Sequence, residues 1–183
     1  MDTESAMTDS VERMLAQVGS NKRPPIDKWD PPLSGTIDIH IDSEGNWFHE
    51  GDPIARHALV KLFASILRHE PENGFVLVTP VEKWQIRVDD APFIAVAMAQ
   101  RTIDGRDALV FVTNVGEEVV AGGEHPLLFD SAAVDAKPYI QLRPGVLAKL
   151  SRPVYYQLVD DAVVAQGKHG IWSCGEFFVL AEA

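Results

Sequence analysis

The 183-residue sequence has a single cysteine, Cys174. That excludes an internal disulfide and any zinc site built on paired thiolates, and it suits a reducing compartment. Positive charge is also scarce: 16 Lys and Arg stand against 27 Asp and Glu, a formal net charge of −11. An acidic surface repels a phosphate backbone and an anionic lipid face, so neither DNA or RNA binding nor membrane docking is expected. No apolar run approaches the roughly 18 residues of a membrane span. The first residues, MDTESAMTDS, lack the basic-then-apolar pattern of a secretory signal, so a cytoplasmic location is expected.

Catalytic signatures are missing too. There is no GxGxxG, no P-loop, no GxSxG, no HExxH and no CxxC. GIWSCGE has P-loop-like glycines but Glu176 where the lysine belongs. Cys174 and His169 sit five apart on what reads as one strand, facing opposite sides, so Cys174 is expected to be a packing residue. None of the six histidines pairs with another at metal-ligand spacing on one element. No cofactor can be named from these residues.

What is present is a core of 46 % hydrophobic residues in patterned segments. The fold expected is α+β, mainly antiparallel strands with two or three short helices. Val11, Met14, Leu15 and Val18 predict an amphipathic helix, stopped by Gly19. Two Pro-Pro pairs then make an extended connector that Trp29 pins to the body. TIDIHI alternates and turns through SEGN into NWF, a hairpin. Asp52 and Pro53 predict the start of the main helix, about residues 53–69.

Beyond residue 73 the period becomes that of strands. FVLVT, VEKWQIRV, PFIAVAMAQ and ALVFVT read as a meander, with Asp104-Gly105 the clearest hairpin turn. LLF, YIQL and VLAKL follow, the last two joined by Pro144-Gly145. Arg152-Pro153 opens a second helix with Val154, Leu158 and Val159 inward, and GIWSCGEFFVLA closes as a strand bulged at Gly175.

An internal echo links NWFHEGDPIARHALVKLFA with GVLAKLSRPVYYQLVDDA. Each is a short strand leading to a Pro-started helix with a central Leu-Val pair, which suggests duplication. The organisation expected is an N-terminal helix and Pro-rich arm over 1–34, a first module over 35–100 and a second over 101–183. A cleft between two modules is where a ligand is sought.

Candidate binding residues follow from that. Arg56, Lys83, Arg87 and Arg143 are the cations placed to line an interface, with Arg56, Lys83 and Arg143 the ones to meet an anion, although Arg56 in a first helical turn calls for Asp52 or Glu50 as partner. Trp47 and Trp84 offer stacking faces or core packing. Thr113, Asn114 and His125 border the glycine-rich loop 114–127 and offer directional hydrogen bonds. Glu124 with His125 is the acid–base pair an enzyme would use.

Four stretches carry a family resemblance: GNWFHEGDPIARHALVKLFASILR, FVLVTPVEKWQIRVDDAPF, TNVGEEVVAGGEHPL and QLRPGVLAKLSRPVYYQLV. Over about residues 35–180 the chain resembles an uncharacterised proteobacterial family, domain of unknown function family 1285. That resemblance implies a duplicated core and a C-terminal half like the pleckstrin-homology fold. It also implies a nucleotide-like ligand between the halves and a role in signalling, with no catalytic residue. The N-terminal arm is a second candidate contact, for a protein partner.

Overall fold

Each strand-period segment becomes a strand in the computed structural model, which describes residues 5, 9, 13, 23–129 and 137–182. The helix expected at 11–18 lies outside the described residues. The chain divides into two units, Met1–Asp89 and Asp90–Ala183.

In the first unit a 3-10 turn, Ile26–Lys28, leads into β1 (Leu33–Ile41), β2 (Trp47–His49) and β3 (Asp52–Pro53). Helix α1 (His57–Ser65) follows, then β4 (Leu67–Glu70), β5 (Gly74–Val78) and β6 (Lys83–Val88). The sheet order is β3-β2-β1-β6-β5-β4. Ile37, Ile39 and Ile41 of β1 are buried, as the alternation predicts, and Trp47 stacks on Phe63 of α1 at 6.4 Å.

Three expectations change here. The helix does not begin at Pro53. Glu50 and Gly51 take positive φ (49° and 86°), and this tight turn pairs Asp52 with His49 and Pro53 with Phe48. Proline fits because β3 is an edge strand and needs no inward N–H. The helix also ends early: Leu67 and its neighbours form β4, so a run that scans as helical is divided between two elements. Finally, the arm is not separate from the first module over its whole length. Ile26 is buried, and Arg68 Nη1 donates to the carbonyls of Ile26 (2.8 Å) and Trp29 (2.7 Å). Trp29 itself stays half-buried, so the pin is Ile26 and Arg68.

The second unit opens with β7 (Phe93–Ile103), β8 (Arg106–Thr113) and β9 (Glu118–Val120). Next come β10 (Leu127–Phe129), β11 (Pro138–Arg143), β12 (Val146–Leu150) and α2 (Arg152–Asp160). The boundary expected at residue 100 would cut β7, which pairs with β8 from Ala95 to Ile103. Helix α2 buries Val154 and Leu158, whereas Val159 is exposed.

A small third sheet closes the unit: β13 (Val163–Ala165), β14 (Lys168–Ser173) and β15 (Glu176–Glu182). The C-terminal segment is therefore a hairpin, not one bulged strand. Cys174 (φ 53°) and Gly175 (φ 82°) form its turn, with Ser173 opposite Glu176. Cys174 is half-exposed at that tip rather than packed in a core. Buried Ser173 ties the hairpin to the main sheet: its Oγ accepts from Leu109 N (2.9 Å) and donates to Ala121 O (2.7 Å).

The large sheet of this unit runs β9-β8-β7-β12-β11-β10. By position this repeats the order of the first unit, and in both the first and sixth strands pair in parallel. The register matches as well. Ile41 pairs with Val88 and accepts from Asp89 N, while Ala95 pairs with Leu150 and accepts from Ser151 N. The duplication is thus in the strands. The sequence echo had matched α1 with α2, but α1 lies between the third and fourth strands and α2 after the sixth.

Candidate functional site

The expected site residues divide four and four between the units. Trp47 lies in the core of the first. Trp84 is half-buried with its ring 3.4 Å from where a Cβ on Gly35 would stand. Arg56 is exposed at the N-cap of α1. Lys83 is buried, with Nζ 3.0 Å from Glu70 Oε1 and 3.7 Å from Asp30. Arg68 and Asn73 also bind Glu70. Burial alone would raise the Glu70 carboxyl; the hydrogen bonds from Asn73, Arg68 and Lys83, with the Arg68 charge, outweigh it and hold the pKa at about 2. Lys83 is spent on this network.

In the second unit the loop residues serve the loop. Thr113 Oγ1 accepts from Glu117 N (3.1 Å). Asn114 Oδ1 accepts from Ile94 N (3.1 Å), and Asn114 N donates to Ile94 O (2.8 Å). His125 Nδ1 lies 3.1 Å from Gln141 O, while Glu124 is exposed. Gly122 and His125 exchange backbone hydrogen bonds, so the glycine-rich segment closes on itself. Arg143 sits 3.6 Å from Glu117 Oε2 with its guanidinium 5.8 Å from the centre of the Phe93 ring. Asn114→Ala should leave Ile94 N without that acceptor and cost about 1–2 kcal/mol, read as a drop in urea midpoint.

The open chemistry lies elsewhere, along the parallel seam of the first unit. Thr36 pairs with Gln85 and His40 with Arg87, so three residues of β1 face the single Ile86 of β6. This irregularity splays the strands. Beside it opens a groove of about 530 Å³ lined by Asp38, His40, Asp42, Phe48, Glu50, Gly51 and Arg87. An adjoining space of about 500 Å³ shares Asp38 and Arg87 and reaches Thr36 and Gln85.

Local structure fixes its walls. Asp42 Oδ1 accepts from the N–H groups of Glu44 and Asn46, both 2.9 Å, and Oδ2 from the Asn46 amide. Slight burial would raise this carboxyl; these bonds, with the His40 charge, keep it below the usual range. His40 Nε2 lies 2.8 Å from Asp89 Oδ2, and its ring stacks with Phe48 at 5.8 Å. Glu50 N donates to Asp38 O (3.0 Å), which holds the β2–β3 turn beside β1.

The alternation of TIDIHI puts Thr36, Asp38 and His40 on the face opposite Ile37, Ile39 and Ile41, and that was the available signal. It missed Phe48 and Glu50 as groove residues, because the parallel seam was not foreseen. Among the described residues no three His, Cys, Asp or Glu side chains gather as a metal site, and no helix is long and apolar enough to cross a membrane.

Comparison with known proteins agrees with this architecture. Residues 24–91 match "Domain of unknown function (DUF1285), N-terminal domain" and residues 92–180 match "Protein of unknown function (DUF1285), C-terminal domain". The junction falls close to the division between the two units. The crystal structure of a DUF1285 family protein from Silicibacter pomeroyi DSS-3 is 39 % identical, covers 100 % of this chain and 96 % of its own, and has a TM-score of 0.85. One from Shewanella baltica OS155 is 30 % identical over 67 % of this chain and 90 % of its own, with a TM-score of 0.53. No curated protein matches the chain. With both of its units matched in sequence and its fold shared with these structures, the chain belongs to the DUF1285 family.

Proposed function

We propose that the protein is a ligand-binding regulator whose site is the seam groove of the first unit. One observation carries this reading: a groove of about 530 Å³ with charged, aromatic and imidazole walls, in a unit whose other buried charges are mutually neutralised. The nucleotide-like anion expected from sequence draws less support, because Lys83 and Arg143 each stand beside a carboxylate. A protein partner reading the bound state through the N-terminal arm belongs to the same proposal. Its test deletes residues 1–22 only, since Ile26 is part of the first unit's core.

A thermal-shift screen of metabolites tests the binding reading. A compound at about 100 times its dissociation constant should stabilise the protein by about 2.7 kcal/mol. It should be recovered unchanged, and Phe48→Ala should abolish the shift. If no compound moves the midpoint, or if Phe48→Ala responds like the parent, the reading is wrong.

A second reading has its own observation. The His40 imidazole lines the groove with Nε2 2.8 Å from Asp89 Oδ2, and an imidazole beside a carboxylate is a group that could act as a general base on water. Consumption of the screened compound, lost in His40→Gln, would make the protein a hydrolase instead.

A further inference from the structure

We propose that Asn73–Gly74 is a covalent modification site: Asn73 deamidates in the folded chain, at a rate governed by Glu70, and the product loads a second carboxylate onto the Glu70 cluster. The site stands apart from the groove, which neither residue lines. The sequence has four asparagines, Asn21, Asn46, Asn73 and Asn114, and only Asn73 precedes a glycine. The reaction brings the next residue's backbone nitrogen onto the side-chain carbonyl carbon, and glycine puts no side chain in the way. Gly74, at φ 66°, opens β5 directly after the turn from β4, and a Cβ there would meet nothing within 4 Å.

The step needs no reactant but water. Gly74 N attacks Asn73 Cγ, its proton and the side-chain amino group leave as ammonia, and a five-membered imide joins the two residues. Water then opens either C–N bond of that ring. One opening gives aspartate, the other isoaspartate with the backbone routed through the former side chain.

The structure ties this step to Glu70. Asn73 Nδ2, the nitrogen that departs, donates to Glu70 Oε2 at 2.6 Å, so that bond must break as ammonia leaves. A hydrogen bond to a carboxylate is stronger than a neutral one, which slows the departure. Glu70 is also the register partner of Gly74 across the hairpin, and Asn73 O accepts from Gln85 Nε2 at 2.7 Å. The product acts on the same cluster. Glu70 Oε1 takes Arg68 and Lys83, whereas Oε2 takes Asn73. After deamidation a like charge stands where Oε2 had its donor.

The test incubates the full chain in warm, mildly alkaline buffer and follows it by peptide mass spectrometry. Tryptic cleavage after Arg68 and Lys83 isolates residues 69–83, which hold one asparagine and no glutamine. The expected result is an amide-to-acid mass increase in this peptide, ahead of any at Asn46 or Asn114. Its rate should rise about tenfold in Glu70→Ala, which removes the acceptor, and less in Glu70→Gln, which keeps an uncharged one. No product in the folded parent, equal conversion at Asn46 or Asn114, or one rate in the parent and both variants would each overturn the proposal. So would a rate in Glu70→Ala that climbs with sub-denaturing urea, because it would trace to unfolding and not to the freed amide. Asn73→Asp supplies the product directly and should lower the urea midpoint at neutral pH; an unchanged midpoint would overturn the effect on the cluster.

Discussion

Glu70→Ala is expected to lower stability by about 3 kcal/mol, because it strands buried charges. Lys83, Arg68 and Glu70 have side chains only 7 %, 16 % and 15 % exposed. The carboxylate neutralises two cations at once and also accepts from Asn73. Without it, Lys83 retains only Asp30, at 3.7 Å and almost fully solvated. Exposed Glu72 is the control, and Glu72→Ala should stay within about 0.5 kcal/mol of the parent.

The pH dependence has a definite sign. The folded pKa of about 2 lies below the ordinary 4.5, so folding favours the ionised form. The contribution, about 3 kcal/mol from that difference, is fully present above about pH 4.5 and fades as pH falls toward 2. Urea unfolding of parent and Glu70→Gln should show a wide gap at neutral pH that closes in acid. A gap of constant width would mean the network is solvated and weak.

Gly170→Ala should be comparably severe, at about 3 kcal/mol, for a steric reason. A Cβ there would stand 2.4 Å from the Phe178 carbonyl oxygen and 2.5 Å from Phe177 Cζ. The ring could swing away; the carbonyl belongs to the partner strand and cannot. Gly170 also borders the register shift between His169 and Gly170, so the hairpin is already irregular there. Because Trp172 lies against Phe177 at 5.0 Å, loss of the arrangement should appear in near-ultraviolet dichroism as well as in the melting curve. The double variant Gly170→Ala, Phe177→Ala should recover only part of the loss. Full recovery would mean that the ring alone, not the backbone, forbids the side chain.

The strands were legible wherever the period was clean. TIDIHI and YIQL alternate because one face of each is buried, and Asp104-Gly105 turns as its positive φ values require. The start of α2 at Arg152 was legible, but the boundaries of α1 were not. Ile66 and Leu67 continue a helical period while lying in the core by another route, since a short buried strand and a helix end share the same apolar run. The parallel pairing of β1 with β6 leaves no local trace, because the partners are far apart in the chain. Candidate residues chosen by chemical type, such as Lys83 and Asn114, bond within the fold. The type says what a side chain can bond to, and the fold had already supplied the partner. Asp38 and His40 were visible as a polar face, yet only the neighbouring strand makes that face a groove.

The parallel seams also bear on the order of events during synthesis. β1 can complete its pairing only when β6, the last strand of its unit, is available, and β7 likewise waits for β12. Hairpins such as β7–β8 can form from neighbouring residues, but each sheet closes through its most distant contact. High contact order of this kind slows folding and leaves β1 and β7 with one unpaired edge in the nascent chain. The first unit's closing strand ends at Val88, ahead of the second unit, so its sheet can close while the ribosome is still making its twin.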